Sequence, residues 1–335
     1  MQAAIYGIEG TELKADERAF FADADPAGFI LFRRNCECRD QLVRLSSELR
    51  EISGRPEVPI LIDQEGGRVA RMRPPEWPSF PPGEAFDRLY QLAPSSAIEA
   101  ARSNARALGL MLSEVGINVD CLPMLDVRQP GATDIVGDRA LGSDPMQVSA
   151  LGRAILDGLH SAGVLGVIKH IPGHGRALVD SHKELPVVVA DEADLAVDLE
   201  PFERLRGAAM GMTAHVVYTA WDAERPGSQS PFVIRDIIRE RIGFDGFLMS
   251  DDIGMEALSG DHGQRAAACV SAGCDVALHC DGKMENMLLV ADAVPALSPE
   301  GEARLARAMA LTFTPQDGMD FAAAVEHRDA LLALV

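Results

Sequence analysis

Val164-Leu165-Gly166-Val167-Ile168-Lys169-His170-Ile171-Pro172-Gly173-His174-Gly175, followed shortly by Asp180-Ser181-His182, decides how this chain is read. Val164 to Ile168 form an apolar, β-branched run of strand character. From Lys169 onward, three histidines, a lysine and an aspartate fall within fourteen residues. Proline lacks an amide donor and an interior glycine costs about 1 kcal/mol, so no packed helix tolerates this punctuation. The segment reads as a loop. A strand that runs into a loop dense with ionisable groups marks the active-site end of α/β proteins.

Outward from this strand the pattern repeats. Strand-like runs lie at Ala3–Ile8, Gly28–Phe32, Val58–Ile62, Ile117–Leu125, Val164–His170, Met210–Val216, Gly246–Ser250 and Asp275–Leu278. Helical periodicity separates them at Gln41–Ile52, Ser95–Val115, Pro145–Ala162, Leu199–Ala209, Pro231–Ile242 and His262–Ala272. Several of these helices run into a glycine and then a new apolar run, as at Gly116, Gly163, Gly243 and Gly273. Eight such units predict an α/β fold, a single-domain (β/α)8 barrel of the TIM type over residues 1–335, with one or two helices after Ala296 closing it. An open doubly wound sheet is the alternative, but no GxGxxG follows the first strand, so a dinucleotide is not expected.

The chain carries 31 basic and 51 acidic residues, a formal charge of −20. That balance argues against nucleic acid or an anionic membrane surface as partner. The N-terminal stretch has no basic start followed by an apolar core, and no run approaches the ~18 apolar residues that span a bilayer. The six cysteines form no CxxC pair and read as reduced, buried thiols. A cytoplasmic, monomeric protein is expected.

Ionisable residues collect at strand ends: Asp63 and Glu65, Asp126, Lys169 and His170, His215, and Asp251 with Asp252. In a barrel these ends share one face. Asp251 follows Ser250 at a strand end, where a carboxylate can serve as nucleophile, general base or metal ligand. Asp252 reads better as the cap of the next helix. Adjacent residues leaving a strand point to opposite sides, so Asp252 is not expected to share the site. Asp180 and His182, one residue apart in an extended loop, can form a dyad in which the carboxylate fixes the imidazole tautomer. Such a histidine can act as general acid and then base. Gly173 and Gly175 suggest hinge freedom for this loop. His170 and His174 are four apart, but Pro172 and Gly173 exclude the helix an HxxxH metal pair requires.

Taken together, these motifs resemble one family. Lys169–Gly175 with Asp180 and His182, Asp63-Gln64-Glu65-Gly66-Gly67-Arg68-Val69 ending at Arg71, Gly137-Asp138-Arg139-Ala140-Leu141-Gly142, Met212-Thr213-Ala214-His215, and Ser250-Asp251-Asp252 are similar, in order, to the motifs of the β-N-acetylglucosaminidases of glycoside hydrolase family 3. The resemblance implies Asp251 as nucleophile and His182, polarised by Asp180, as acid/base. It implies Asp63, Arg71, Arg139, Lys169 and His170 as ligands of the terminal N-acetylglucosamine, with no metal and no cofactor. It also implies a role in bacterial cell-wall recycling. There the substrate is a muropeptide, cut between N-acetylglucosamine and 1,6-anhydro-N-acetylmuramic acid. Ile171, Gly254 and Cys280-Asp281 depart from the family's commoner residues. Lys169, Arg71 and Arg139 are expected to make a local cationic patch that orients sugar hydroxyls. Competing readings are a metal-dependent hydrolase using His170, His174, His215 and Asp251, a sugar-binding regulator without turnover, and a β-glucosidase-type relative.

Overall fold

The computed structural model describes residues 1–131, 136–181, 183–313 and 320–335. Its strands are β1 (Gln2–Gly7), β2 (Pro26–Leu31), β3 (Ile60–Ile62), β4 (Val119–Asp120), β5 (Leu165–Ile171), β6 (Val187–Val188), β7 (Met210–Thr213), β8 (Val217–Tyr218), β9 (Phe247–Asp252) and β10 (Val276–His279). Eight of them close a parallel barrel in the order β1-β2-β3-β4-β5-β7-β9-β10, with β10 returning to β1 through Ile5 opposite Leu278. Each of the eight expected strands is present. The remaining pair, β6 and β8, forms a small parallel sheet outside the barrel.

Alternation along the strands builds two cores. Ile5, Ile30, Leu61, Val167, Met210 and Met249 fill the barrel interior. Their strand neighbours, such as Tyr6, Phe29, Ile60, Ile62, Ile168 and Leu248, face the helical layer. Helices Pro94–Glu114 and Pro145–Ser161 each begin on a proline, whose missing amide donor costs nothing in the first turn. They run out into Gly116 and Gly163, at φ 78° and 75°, a left-handed conformation that favours glycine.

The helix Pro299–Met309 and the segment before it close the barrel floor, while the last helix, Phe321–Leu332, packs outside against Pro94–Glu114. Leu297, Leu305, Ala308 and Met309 pack into the interior cluster beside Ala3 and Ala27, at the end opposite the ionisable residues. Ala3 N–H donates to Pro295 O and Leu297 N–H to Met1 O. No helix among the described residues is long and apolar enough to cross a membrane.

Two elements differ from the sequence reading. The helix expected at Leu199–Ala209 is Glu192–Arg204. Asp191 caps it by accepting from Asp194 N–H at 2.8 Å, so the helix starts about two turns earlier, and Leu205–Ala209 is left to lead into β7. The helix expected at Pro231–Ile242 is a π-helix at Val233–Arg241, with Ile242 N–H reaching back to Ile237 O.

Candidate active site

At the C-terminal mouth of the barrel lies a cavity of about 300 Å³. Its wall includes Asp63, Arg71, Arg139, Lys169 and His170, together with Asp180 and Asp251. Every expected site residue within the described chain therefore lines one cavity. His182 lies outside the described residues. A larger groove of about 700 Å³, between Leu185, Arg225 and Glu256, holds none of these groups.

The Asp63–Arg71 segment works as one folded unit. Gly66 and Gly67, at φ 100° and 54°, turn so tightly against Pro81 and Pro82 that a Cβ on Gly66 would meet Pro81 O at 2.3 Å. The turn brings Val69 back onto Glu65 and Gly66. Gln64 Oε1 accepts from Arg71 N–H and Met72 N–H at 2.8 and 3.0 Å, fixing the backbone that carries Arg71. Arg71 then reaches Asp63 Oδ2 at 3.0 Å, with its guanidinium 5.1 Å from the Phe32 ring centroid.

Lys169, from β5, ties this unit to the rest of the mouth. Its Nζ is 3.0 Å from Asp63 Oδ1 and 2.7 Å from Glu65 Oε1. Arg139 grips Glu65 with two bonds, at 2.7 and 2.8 Å. Three cations thus alternate with two carboxylates. The expected cationic patch is in fact a nearly balanced network with one formal positive charge to spare. Burial alone would raise the Asp63 carboxyl, but Lys169 and Arg71 hold it at about 2. Glu65 is likewise held below the carboxylate range, where Arg139 and Lys169 outweigh burial. Burial would lower Lys169, but Glu65 and Asp63 raise it. All three groups are charged at neutral pH.

Asp126 orients the neighbouring imidazole. It is fully buried, with Oδ2 2.7 Å from His170 Nδ1 and Oδ1 accepting from His174 N–H at 2.6 Å. The bond commits Nδ1, so recognition by His170 falls to Nε2. Burial would raise Asp126, but His170 lowers it.

The loop after β5 is anchored at its root. Tyr218 Oη donates to Gly173 O at 2.8 Å, and Arg176 pairs with Asp198. A Cβ on Gly175 would meet Val127 O at 2.0 Å. Gly175 thus serves close packing against Val127. Farther along, Ser181 O accepts from Ala257 N–H at 3.2 Å, which holds the Asp180 segment beside the cavity.

Asp252 departs from both expectations placed on it. It lines the same cavity as Asp251. It does not cap the next helix, whose cap is Asp261. Its Oδ1 instead accepts from Gly254 N–H at 2.9 Å and Cys280 N–H at 3.2 Å. The adjacent carboxylate is therefore bent back onto its own turn and the end of β10, which keeps it at the cavity wall. Burial and the neighbouring Asp251 raise it, against the bond from Gly254.

The histidines of the metal-hydrolase reading are each engaged by protein. His215 Nδ1 is 2.6 Å from Ser228 Oγ and its Nε2 3.1 Å from Asp252 O. His174 Nε2 is 3.3 Å from Ser181 Oγ. Among the described residues, these groups do not converge on a common point as metal ligands. Phe32, Glu65 and Asp126 are site residues that the implied ligand set omits. Glu65 and Asp126 carried a signal in their strand-end positions, and Phe32 carried none.

A charged barrel mouth of this composition belongs to enzymes that grip a polar substrate and act on it. Residues 3–310 match the glycosyl hydrolase family 3 N-terminal domain. A β-hexosaminidase of Methylococcus capsulatus is 39% identical over 285 residues, covering 83% of this chain and 82% of that protein. A β-hexosaminidase of Aromatoleum aromaticum is 35% identical over 338 residues, covering 98% and 93%. The crystal structure of native NagZ from Neisseria gonorrhoeae superposes with a TM-score of 0.88 at 30% identity, covering 99% of this chain and 98% of that one. The chain belongs to glycoside hydrolase family 3, as a glycosidase of its β-hexosaminidase group.

Proposed function

We propose that the protein is a retaining β-N-acetylhexosaminidase that removes non-reducing terminal N-acetylglucosamine from muropeptides, GlcNAc-1,6-anhydroMurNAc-peptides, in cytoplasmic peptidoglycan recycling. Asp251 attacks the anomeric carbon to form a covalent glycosyl-enzyme. His182, paired with Asp180, protonates the leaving oxygen and then deprotonates water. Asp63, Arg71, Arg139, Lys169 and His170 hold the sugar. The supporting observation is that Asp251, at the end of β9, shares one cavity with Asp180 and with the Asp63–Lys169–Glu65–Arg139 network. A glycoside in this cavity meets a carboxylate nucleophile beside fixed donors, a preorganised arrangement that needs little rearrangement in the transition state. The protein acts as a monomer, with residues 1–335 as one catalytic domain.

The position of Asp252 favours one second reading. A carboxylate at the cavity wall next to Asp251 can orient the substrate's own acetamide oxygen, which then attacks in place of the enzyme. Two bonds from backbone amides to Asp252 Oδ1 support a fixed, structural role over that one. The substrate assignment is tested by comparing aryl β-N-acetylglucosaminide with aryl β-glucoside, and then GlcNAc-1,6-anhydroMurNAc with chitobiose. Preference for the first of each pair is expected. Equal turnover of the two aryl glycosides would remove the acetamido specificity. Preference for chitobiose would remove the muropeptide.

A further inference from the structure

His262, His279 and Asp281 lie together outside the groups used above. His262 opens the helix His262–Ala272, His279 ends β10, and Asp281 follows two residues later. One donor atom from each lies within 4.8 Å of the other two. His279 Nε2 is 3.1 Å from Asp281 Oδ1, and His262 Nε2 is 3.9 Å from Asp281 Oδ2. His279 is completely buried, and among the described residues neither of its ring nitrogens has a well-aligned hydrogen-bond partner. A buried polar group left in this state is costly and calls for a ligand. Asp281 is itself oriented, accepting from Lys283 N–H at 2.7 Å and Asn286 Nδ2 at 2.5 Å.

We propose that His262, His279 and Asp281 bind a divalent transition-metal ion of the zinc type, at a site separate from the catalytic cavity. Two imidazoles and a carboxylate suit zinc better than magnesium or calcium, which prefer all-oxygen sets. The bonds from Lys283 and Asn286 supply the outer shell that fixes a ligating carboxylate. His262 and Asp281 are partly exposed, at 22% and 27%, so an ion can enter and water can complete its coordination. Leu278 and Cys280 line the catalytic cavity, and strand alternation sends His279 to the other face of β10. The ion thus clamps the end of β10 to the first turn of the preceding helix, His262–Ala272, behind the cavity wall. Cys280 N–H, which supports Asp252, lies between two of the ligands.

The test uses the full chain, stripped with a chelator and titrated with Zn2+ by calorimetry and thermal unfolding. His182→Ala serves as the control that separates this site from the catalytic loop. Wild type and His182→Ala are expected to bind about one equivalent of zinc that His262→Ala loses. The zinc-induced rise in Tm is lost with it. If His262→Ala does not fold, Asp281→Asn makes the same comparison. Unchanged binding and an unchanged Tm rise in the folded variant overturn the proposal. So does zinc binding that only His182→Ala removes.

Discussion

Lys169 Nζ stands 2.7 Å from Glu65 Oε1, and the two side chains are 2% and 5% exposed. A pair this deeply buried is held by its neighbours, since Asp63 also faces the lysine and Arg139 also faces the glutamate. Such a network is worth little net stability compared with apolar packing, but removing one member leaves the others charged and uncompensated.

Lys169→Met is therefore expected to destabilise the fold by about 3–5 kcal/mol, measured by urea unfolding, because Asp63 and Glu65 lose their shared cation. The double change Lys169→Met with Glu65→Gln should recover part of that loss, a coupling read from the double-mutant cycle. Additive losses would mean that the two groups do not act as a unit.

His182→Ala is expected to lower kcat/KM by roughly 10²–10⁴-fold on poor leaving groups, the usual worth of general acid/base catalysis. With dinitrophenyl leaving groups, which depart without protonation, the first step should be nearly spared. Asp180→Ala should show a milder form of the same pattern. An equal loss for good and poor leaving groups would make His182 a positioning residue.

Burial lowers His174 to about 4 from its usual 6.5, so the folded protein keeps it neutral where the unfolded chain already binds a proton. Between those two values the unfolded state takes up more protons, and stability falls as the pH falls. Urea midpoints measured at about pH 7 and about pH 5 should therefore differ, with the lower pH weaker. His174→Gln should shrink that difference. An undiminished difference would assign the acid sensitivity to other groups.

The barrel was legible because its signals are local and repeated. Gly116 and Gly163 stop helices before an apolar run, and alternation marks each strand. The cavity residues were legible because strand ends converge in a barrel whatever the side chains are. Other features depend on contacts across the fold. The position of Asp252 is set by amides of Gly254 and Cys280, the latter 28 positions away. The balanced charge of the network needs Lys169 to meet Glu65, 104 positions apart, as the pairing shows. The helix at Glu192–Arg204 was misplaced because its periodicity is weak and the Asp191 cap decides its start.

The central claim is that Asp251 forms a bond to the sugar. A fluorinated N-acetylglucosaminyl substrate with a good leaving group should trap that bond, and mass spectrometry of the digest should place one added sugar on the Asp251 peptide, resolved to Asp251 by fragmentation. Asp251→Asn should neither turn over substrate nor carry the label. No trapped adduct, together with strong inhibition by a thiazoline mimic of the acetamide-derived intermediate, would contradict the account. Asp252 would then be the carboxylate that orients the substrate's own nucleophile.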